Sequence, residues 1–355
     1  MTKIKVWDNL KREINRGKQG FNKGLTMGFE RLDNHISNIQ QGRYTTVSGA
    51  TGTGKTAFVD SAFVFHPYDY IQTNGSFYEL EIVYYSLEIE PVVKLAKFVA
   101  RKIWEDHGML TNVNEIYSRG KLKIPPKIAD IIDSYEEYFA ILQEKTLFFR
   151  SSMSPNYLYK DMMGYAESRG KFIKDKNGII QEYIPNNPNL ITLIVVDHIG
   201  LIDRNKEDKT KKEAIDRASK ILVFFRNICK YSPVVVSQFN RGIEGMDRKE
   251  NNSQEPQLSD LKDSGSTQED ANTVIALFHP FKYGMEKHRG YPIIKLQRNY
   301  RSAHILKNRD GMADLVVGLH FIGEVGKFKE LPPASELTEN SALLNKIINY
   351  GKRIT

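Results

Sequence analysis

The chain has 355 residues, with 51 Lys+Arg against 43 Asp+Glu and a formal net charge of +8. At roughly 100–200 residues per domain, that length makes one large domain or two modest ones with a real core. Hydrophobic residues at 40% and charged residues at 26% are too apolar a mix for a disordered chain, and no apolar run approaches the ~18 residues of a membrane span. The opening MTKIKVWDNLKREINRG is charged and amphipathic, unlike a secretory signal. A single cysteine, Cys229, excludes an internal disulfide framework and a Cys-based zinc site, and fits a reducing, cytoplasmic setting. A pI near 9.2 permits a polyanionic partner.

In chain order, residues 5–17 read as a short amphipathic helix with Val6, Leu10 and Ile14 on one side. A compact domain opens near Gly24. Four β-type runs follow, at 43–48, 82–87, 191–196 and 233–237, two of them nearly continuous apolar runs as in strands covered on both faces. Helical patterns separate them, at 55–65, 91–106, 126–140, 156–168 and 213–230. This alternation predicts an α/β fold with a mainly parallel, doubly wound sheet flanked by helices. Residues 171–189 hold an insertion, read as a hairpin around Lys176-Asn177-Gly178. Segments 273–279, 291–297, 302–307 and 313–321 are short and β-rich, and predict antiparallel strands that extend the same sheet. Residues 203–212 and 246–257 are charged and turn-rich, and read first as solvated loops. The expected divisions are 1–23 (helix), 24–330 (main domain) and 331–355 (tail, with a helix at 340–350).

Gly49-Ala50-Thr51-Gly52-Thr53-Gly54-Lys55-Thr56 fits G-x-x-x-x-G-K-[ST] between a strand and a helix. Glycines let backbone N–H groups turn inward around phosphates, and the helix aims its positive end at them. Lys55 would bridge the outer phosphates of ATP, and the Thr56 hydroxyl would ligate Mg²⁺. Ligands of an open parallel sheet sit at the carboxyl ends of the strands. The other runs end in Glu88, Asp197 and Gln238. Asp197 is the expected Walker B carboxylate, Glu88 a candidate base for water and Gln238 a candidate γ-phosphate sensor. Each has a plainer reading as a cap or turn residue, but three at three strand ends point to one crevice.

The order of motifs resembles the RecA-type motor domain of DnaB-type hexameric replicative helicases, over about residues 24–330. GLTMGFERLD at 24–33 is similar to the segment that enters that domain, YYSLEIE at 84–90 to its S-L-E-M element, and VVVSQFNR at 234–241 to its sensor. LIVVDHIGLI at 193–202 resembles its Walker B, with His198 where a tyrosine is usual. LSDLKDSGSTQEDAN at 258–272 resembles its DNA-facing signature, which implies that Lys262, Asp263 and Gly265 contact the backbone of single-stranded DNA. Lys307-Asn308-Arg309-Asp310-Gly311 is similar to its K-x-R-x-G hairpin. There the arginine reaches the neighbouring subunit's γ-phosphate, so Arg309 is the implied finger and Lys307 its companion. Lys295, Arg298 and Arg301 form a competing basic cluster.

The resemblance implies a RecA-like P-loop NTPase core and a homo-hexamer with active sites between subunits. It implies ATP and Mg²⁺ as ligands, and duplex unwinding in DNA replication. The helix at 5–17 is expected to dock on a neighbouring subunit, and a phage-type or mobile-element helicase is the expected kind; a loader or primase partner is not named by these residues. Two other classes stay open on the same scaffold: a filament-forming recombinase or mediator, and a regulatory ATPase. Tyr84, Tyr85 and Cys229 read as core, and His198 as a packed neighbour of Asp197.

Overall fold

In the computed structural model, the structure describes residues 6–240, 243, 248, 254–261, 265–337 and 342–350. The strands among them are β1 (Thr45–Gly49), β2 (Glu79–Ser86), β3 (Leu147–Arg150), β4 (Gly170–Lys174), β5 (Ile180–Pro185), β6 (Leu190–Asp197), β7 (Ser232–Gln238), β8 (Thr273–Phe278), β9 (Lys287–His288), β10 (Tyr291–Pro292), β11 (Tyr300–Asn308), β12 (Val316–Ile322) and β13 (Lys327–Glu330). Nine of these form one sheet, in the order β13-β12-β11-β8-β1-β7-β6-β2-β3. From β8 to β3 every pairing is parallel, and β11, β12 and β13 extend the β8 edge antiparallel. The α/β expectation and the antiparallel C-terminal extension both hold.

Period-two alternation sends successive side chains to opposite faces. Ile82, Tyr84, Leu193 and Val195 join one core with Phe58, Phe98, Ile103 and Leu142. Val83, Tyr85, Ile194 and Val196 join the other with Leu158, Met162, Ile215 and Leu222. The helices Pro91–His107 and Lys211–Cys229 therefore lie on opposite faces. Covering both faces explains why β1, β6 and β7 are almost wholly buried along their length. Cys229 is buried and free, and burial pushes its thiol up to about 12. The insertion forms the β4–β5 hairpin.

Four local expectations need correction. Residues 291–297 are not a strand: two-residue β10 gives way to the helix Ile293–Leu296. Ile293 and Leu296, three residues apart, are both buried while Ile294 is 62% exposed, which is helical and not strand spacing. The pattern at 126–140 is two helices, Pro126–Ser134 and Glu136–Lys145. The Ser134 hydroxyl bonds back to the Ile131 carbonyl at 2.6 Å, a local bond that competes with the helix ladder. The helix after the glycine-rich loop does not stop at 65. It passes through a π-turn at Asp60–Phe65 and continues as His66–Asn74, the wider turn making room for the Pro67 ring. Strand β3 was not anticipated, because its four residues follow the helix Glu136–Lys145 with no turn signal.

Candidate nucleotide site

Gly49 closes β1, and the loop to Lys55 returns on itself: the Thr53 hydroxyl donates to the Ala50 carbonyl at 2.9 Å. A Cβ at Gly49 would lie 2.9 Å from the Leu277 carbonyl, so only glycine fits there. Gly54 has φ 91°, the left-handed region that glycine enters without a steric cost. Lys55 and Thr56 then begin the helix. Lys55 is buried, with Nζ donating to the Ala50 carbonyl at 3.1 Å. Burial pushes its ammonium down, and Asp197 and Glu88 partly restore it.

Because β1, β7, β6 and β2 are neighbours in that order, the loop, Gln238, Asp197 and Glu88 line up at adjacent carboxyl ends. The Thr56 hydroxyl donates to Asp197 Oδ1 at 3.1 Å. The Leu87 N–H donates to the Asp197 carbonyl at 2.9 Å and ties the Glu88 segment to the end of β6. The Glu88 side chain is 53% exposed, with Oε2 4.0 Å from His198 Nε2. Gln238 Nε2 lies 3.3 Å from the same imidazole nitrogen. His198 thus stands between the two. A cavity of about 640 Å³ opens here, and Lys55, Thr56, Glu88 and Gln238 are among its lining residues. The oxygen donors of Thr56 and Asp197 suit a hard cation such as Mg²⁺.

Three buried groups were missed as site residues. Asp60, Lys94 and Tyr84 sit behind Asp197, with the Tyr84 hydroxyl 2.9 Å from Asp60 Oδ1 and 3.1 Å from Asp197 Oδ2. Tyr84 is core as expected, but its hydroxyl bridges two carboxylates. The available signal was a lysine on the apolar stripe of one helix and an aspartate inside the apolar run of another.

The remaining basic groups divide between the two ends of β11. Arg301 is buried beside the loop, with Nε donating to the Thr53 carbonyl at 3.1 Å. Lys307 and Arg309 lie elsewhere. Lys307 Nζ donates to the carbonyls of Gln268 at 2.6 Å and Glu269 at 2.9 Å, and Arg309 also bonds to the Glu269 carbonyl. Asn308 pairs with Thr273, and Thr273 with Thr45 at the start of β1. The pair therefore stands four residues of strand, roughly 13 Å, below the level of Gly49. Lys262 and Asp263 lie outside the described residues, and Gly265 opens the helix Gly265–Asp270.

Sheet order, glycine-rich loop and carboxyl-end acids together define a RecA-like P-loop nucleotide-binding protein. Residues 166–330 match the model of the DnaB-like helicase C terminal domain. Over 262 residues it is 24% identical to replicative DNA helicase DnaB of Helicobacter pylori strain J99, covering 74% of this chain and 45% of that protein. Over 327 residues it is 22% identical to the Leifsonia xyli protein of the same name, covering 90% and 59%. The chain thus spans about half the length of such curated relatives. In structure it is similar to a separately solved ATPase domain, with a TM-score of 0.67 at 18% identity, covering 93% of this chain and 99% of that one. A DnaB-like replicative helicase described with its interactions with primase gives 0.61 at 19%, covering 87% and 64%. The family match favours the helicase reading over the recombinase and regulatory-ATPase readings. Among the described residues, no helix is long and apolar enough to cross a membrane.

Proposed function

We propose that this chain is the motor of a DnaB-type DNA helicase, a ring that couples ATP hydrolysis to movement along single-stranded DNA and to duplex unwinding in replication. The observation that carries it is the meeting of Thr56 with Asp197 at the loop mouth, flanked by Lys55, Glu88 and Gln238. On this reading residues 24–330 are the motor, 1–23 a linker-type helix that docks on a neighbour, and 331–355 a tail. The protein works in the cytoplasm as a homo-oligomer, most simply a hexamer.

The backbone of Gly49, Ala50, Thr51, Gly52, Thr53 and Gly54 cradles the phosphates of ATP, and Lys55 leaves the Ala50 carbonyl to pair with their outer oxygens. Thr56 and Asp197 would hold Mg²⁺. When bound, that ion neutralises charge on the phosphate oxygens. Glu88, exposed at the rim, accepts a hydrogen bond from the attacking water and aligns it. Lys307 and Arg309, remote from their own loop, serve the neighbour's γ-phosphate. Gln238 senses that phosphate and passes its state to the DNA-facing stretch, where Lys262, Asp263 and Gly265 contact backbone phosphates.

The test is Mg²⁺-ATP hydrolysis against protein concentration, with and without single-stranded DNA. Stimulation by DNA with a steeper-than-linear concentration dependence is expected, followed by unwinding of a forked duplex. A DNA-indifferent rate, linear in protein, would overturn the motor reading.

A further inference from the structure

The helix Pro91–His107 turns Lys94, Phe98 and Arg101 inward, residues spaced four and then three apart and all buried. Lys94 has no measurable exposure. Its Nζ lies 3.1 Å from Asp60 Oδ1 and 3.5 Å from Asp197 Oδ2, and 4.3 Å from the centre of the Tyr84 ring. Tyr84 bridges the same two carboxylates. Asp60 lies four residues after Thr56, one turn further along the P-loop helix. None of these contacts is made to the loop at 49–55, and a buried ion pair is a poor source of stability compared with apolar packing. What the arrangement does supply is direction. Asp197 has Thr56 on Oδ1, and Tyr84 and Lys94 on Oδ2.

We propose that Lys94, itself anchored by Asp60 and Tyr84, is a positioning residue for Asp197, holding Oδ2 so that Oδ1 stays turned toward Thr56 and the metal side of the cleft. The inference rests on the Mg²⁺-nucleotide reading of the site. An unanchored carboxylate rotates about its terminal bond and must be reoriented each time a cation binds; this one is set in advance within the fold. Burial raises the Asp60 carboxyl, and Lys94 offsets this only in part.

Lys94→Met alone would strand Asp60, so the working variant is the double Lys94→Met/Asp60→Asn, which removes one charge of each sign. Tyr84→Phe is the second variant; it deletes the bridge and keeps every charge. Mn²⁺ is the probe, its binding in the presence of ADP followed by electron paramagnetic resonance, with folding checked by circular dichroism. Binding of a fluorescent ATP analogue in EDTA reports the phosphate cradle separately. Both folded variants are expected to bind the analogue as the wild type does. Mn²⁺ affinity should fall on the order of ten-fold in the double variant and less in Tyr84→Phe. An affinity within about two-fold of wild type in either folded variant overturns the inference alone, since outer partners of a metal site have larger effects. A wild-type protein that takes up no Mn²⁺ with ADP overturns the nucleotide-metal reading and the inference together.

Discussion

The backbone N–H of Asn240 donates to the carbonyl of Asp260 at 2.7 Å, and the Asn240 side chain donates to the Ser259 carbonyl at 2.9 Å. Two residues upstream is Gln238, the candidate phosphate sensor. Between them, the Phe239 N–H donates to the Gly49 carbonyl at 3.2 Å, and Phe239 bridges to Leu261. The start of the P-loop, the end of β7 and the start of the stretch at 258–272 are therefore one hydrogen-bonded run. Asn240→Ala removes the bond to the Ser259 carbonyl, worth on the order of 1 kcal/mol. The expected result is a loss of about five-fold in DNA stimulation of ATP hydrolysis, at 1.4 kcal/mol per factor of ten, with the DNA-free rate retained. Equal stimulation in the variant would place the coupling elsewhere.

Glu88→Gln should bind Mg²⁺-ATP normally and hydrolyse it at least a hundred-fold more slowly, about the range general-base loss produces. Equilibrium binding and single-turnover rates together check this. Comparable turnover in the variant would remove Glu88 from the role.

Arg309→Ala tests the proposed finger. A finger acting in trans can be worth several powers of ten in rate. Mixed in equal amounts with wild type before assembly, the variant should therefore depress hydrolysis well below half. Activity that tracks the wild-type fraction would place Arg309 outside the shared site.

Arg301 makes the opposite case, a cation serving its own subunit. Its guanidinium donates to the carbonyls of Thr53, Gly52, Arg298 and Tyr300, and burial lowers it to about 10. Arg301→Met should cost roughly 2–3 kcal/mol of stability, the range for hydrogen bonds to a charged group, and should raise the KM for ATP more than it lowers kcat. A melting curve and a substrate titration decide. A variant with wild-type melting and KM would show that the loop holds its shape without Arg301.

Stability should fall in mild acid. Burial holds His66, His288 and His320 down to about 4, and His304 to about 3. The unfolded chain takes up these protons near pH 6.5, while the folded chain resists them until lower pH. The stabilisation is fully present above about pH 6.5 and is lost progressively as pH falls toward 4 and 3. Melting temperatures from about pH 7.5 to 4.5 should decline with a slope reporting net proton uptake on unfolding. A flat profile would mean that these imidazoles are hydrated in solution.

Much of this was legible along the chain. The eight residues at 49–56 specify a phosphate loop by themselves, because glycine placement and the Lys-Thr pair are local requirements. Glu88, Asp197 and Gln238 could be read from the ends of apolar runs, because a buried parallel strand must become polar where it leaves the sheet. Tertiary structure decided the rest. Strand order put Gln238, Asp197 and Glu88 in sequence beside the loop, and the antiparallel register of β11 on β8 placed Arg301 against it while Lys307 and Arg309 stand at the far end of the strand. Along the sequence, Lys94 and Asp60 are each a lone charge in an apolar stripe. Only the packing of two helices on the same face of the sheet made them a pair and aimed them at Asp197. A local pattern states which side chains turn inward. What they meet depends on segments far along the chain, and the energy of a buried charge is set by that meeting.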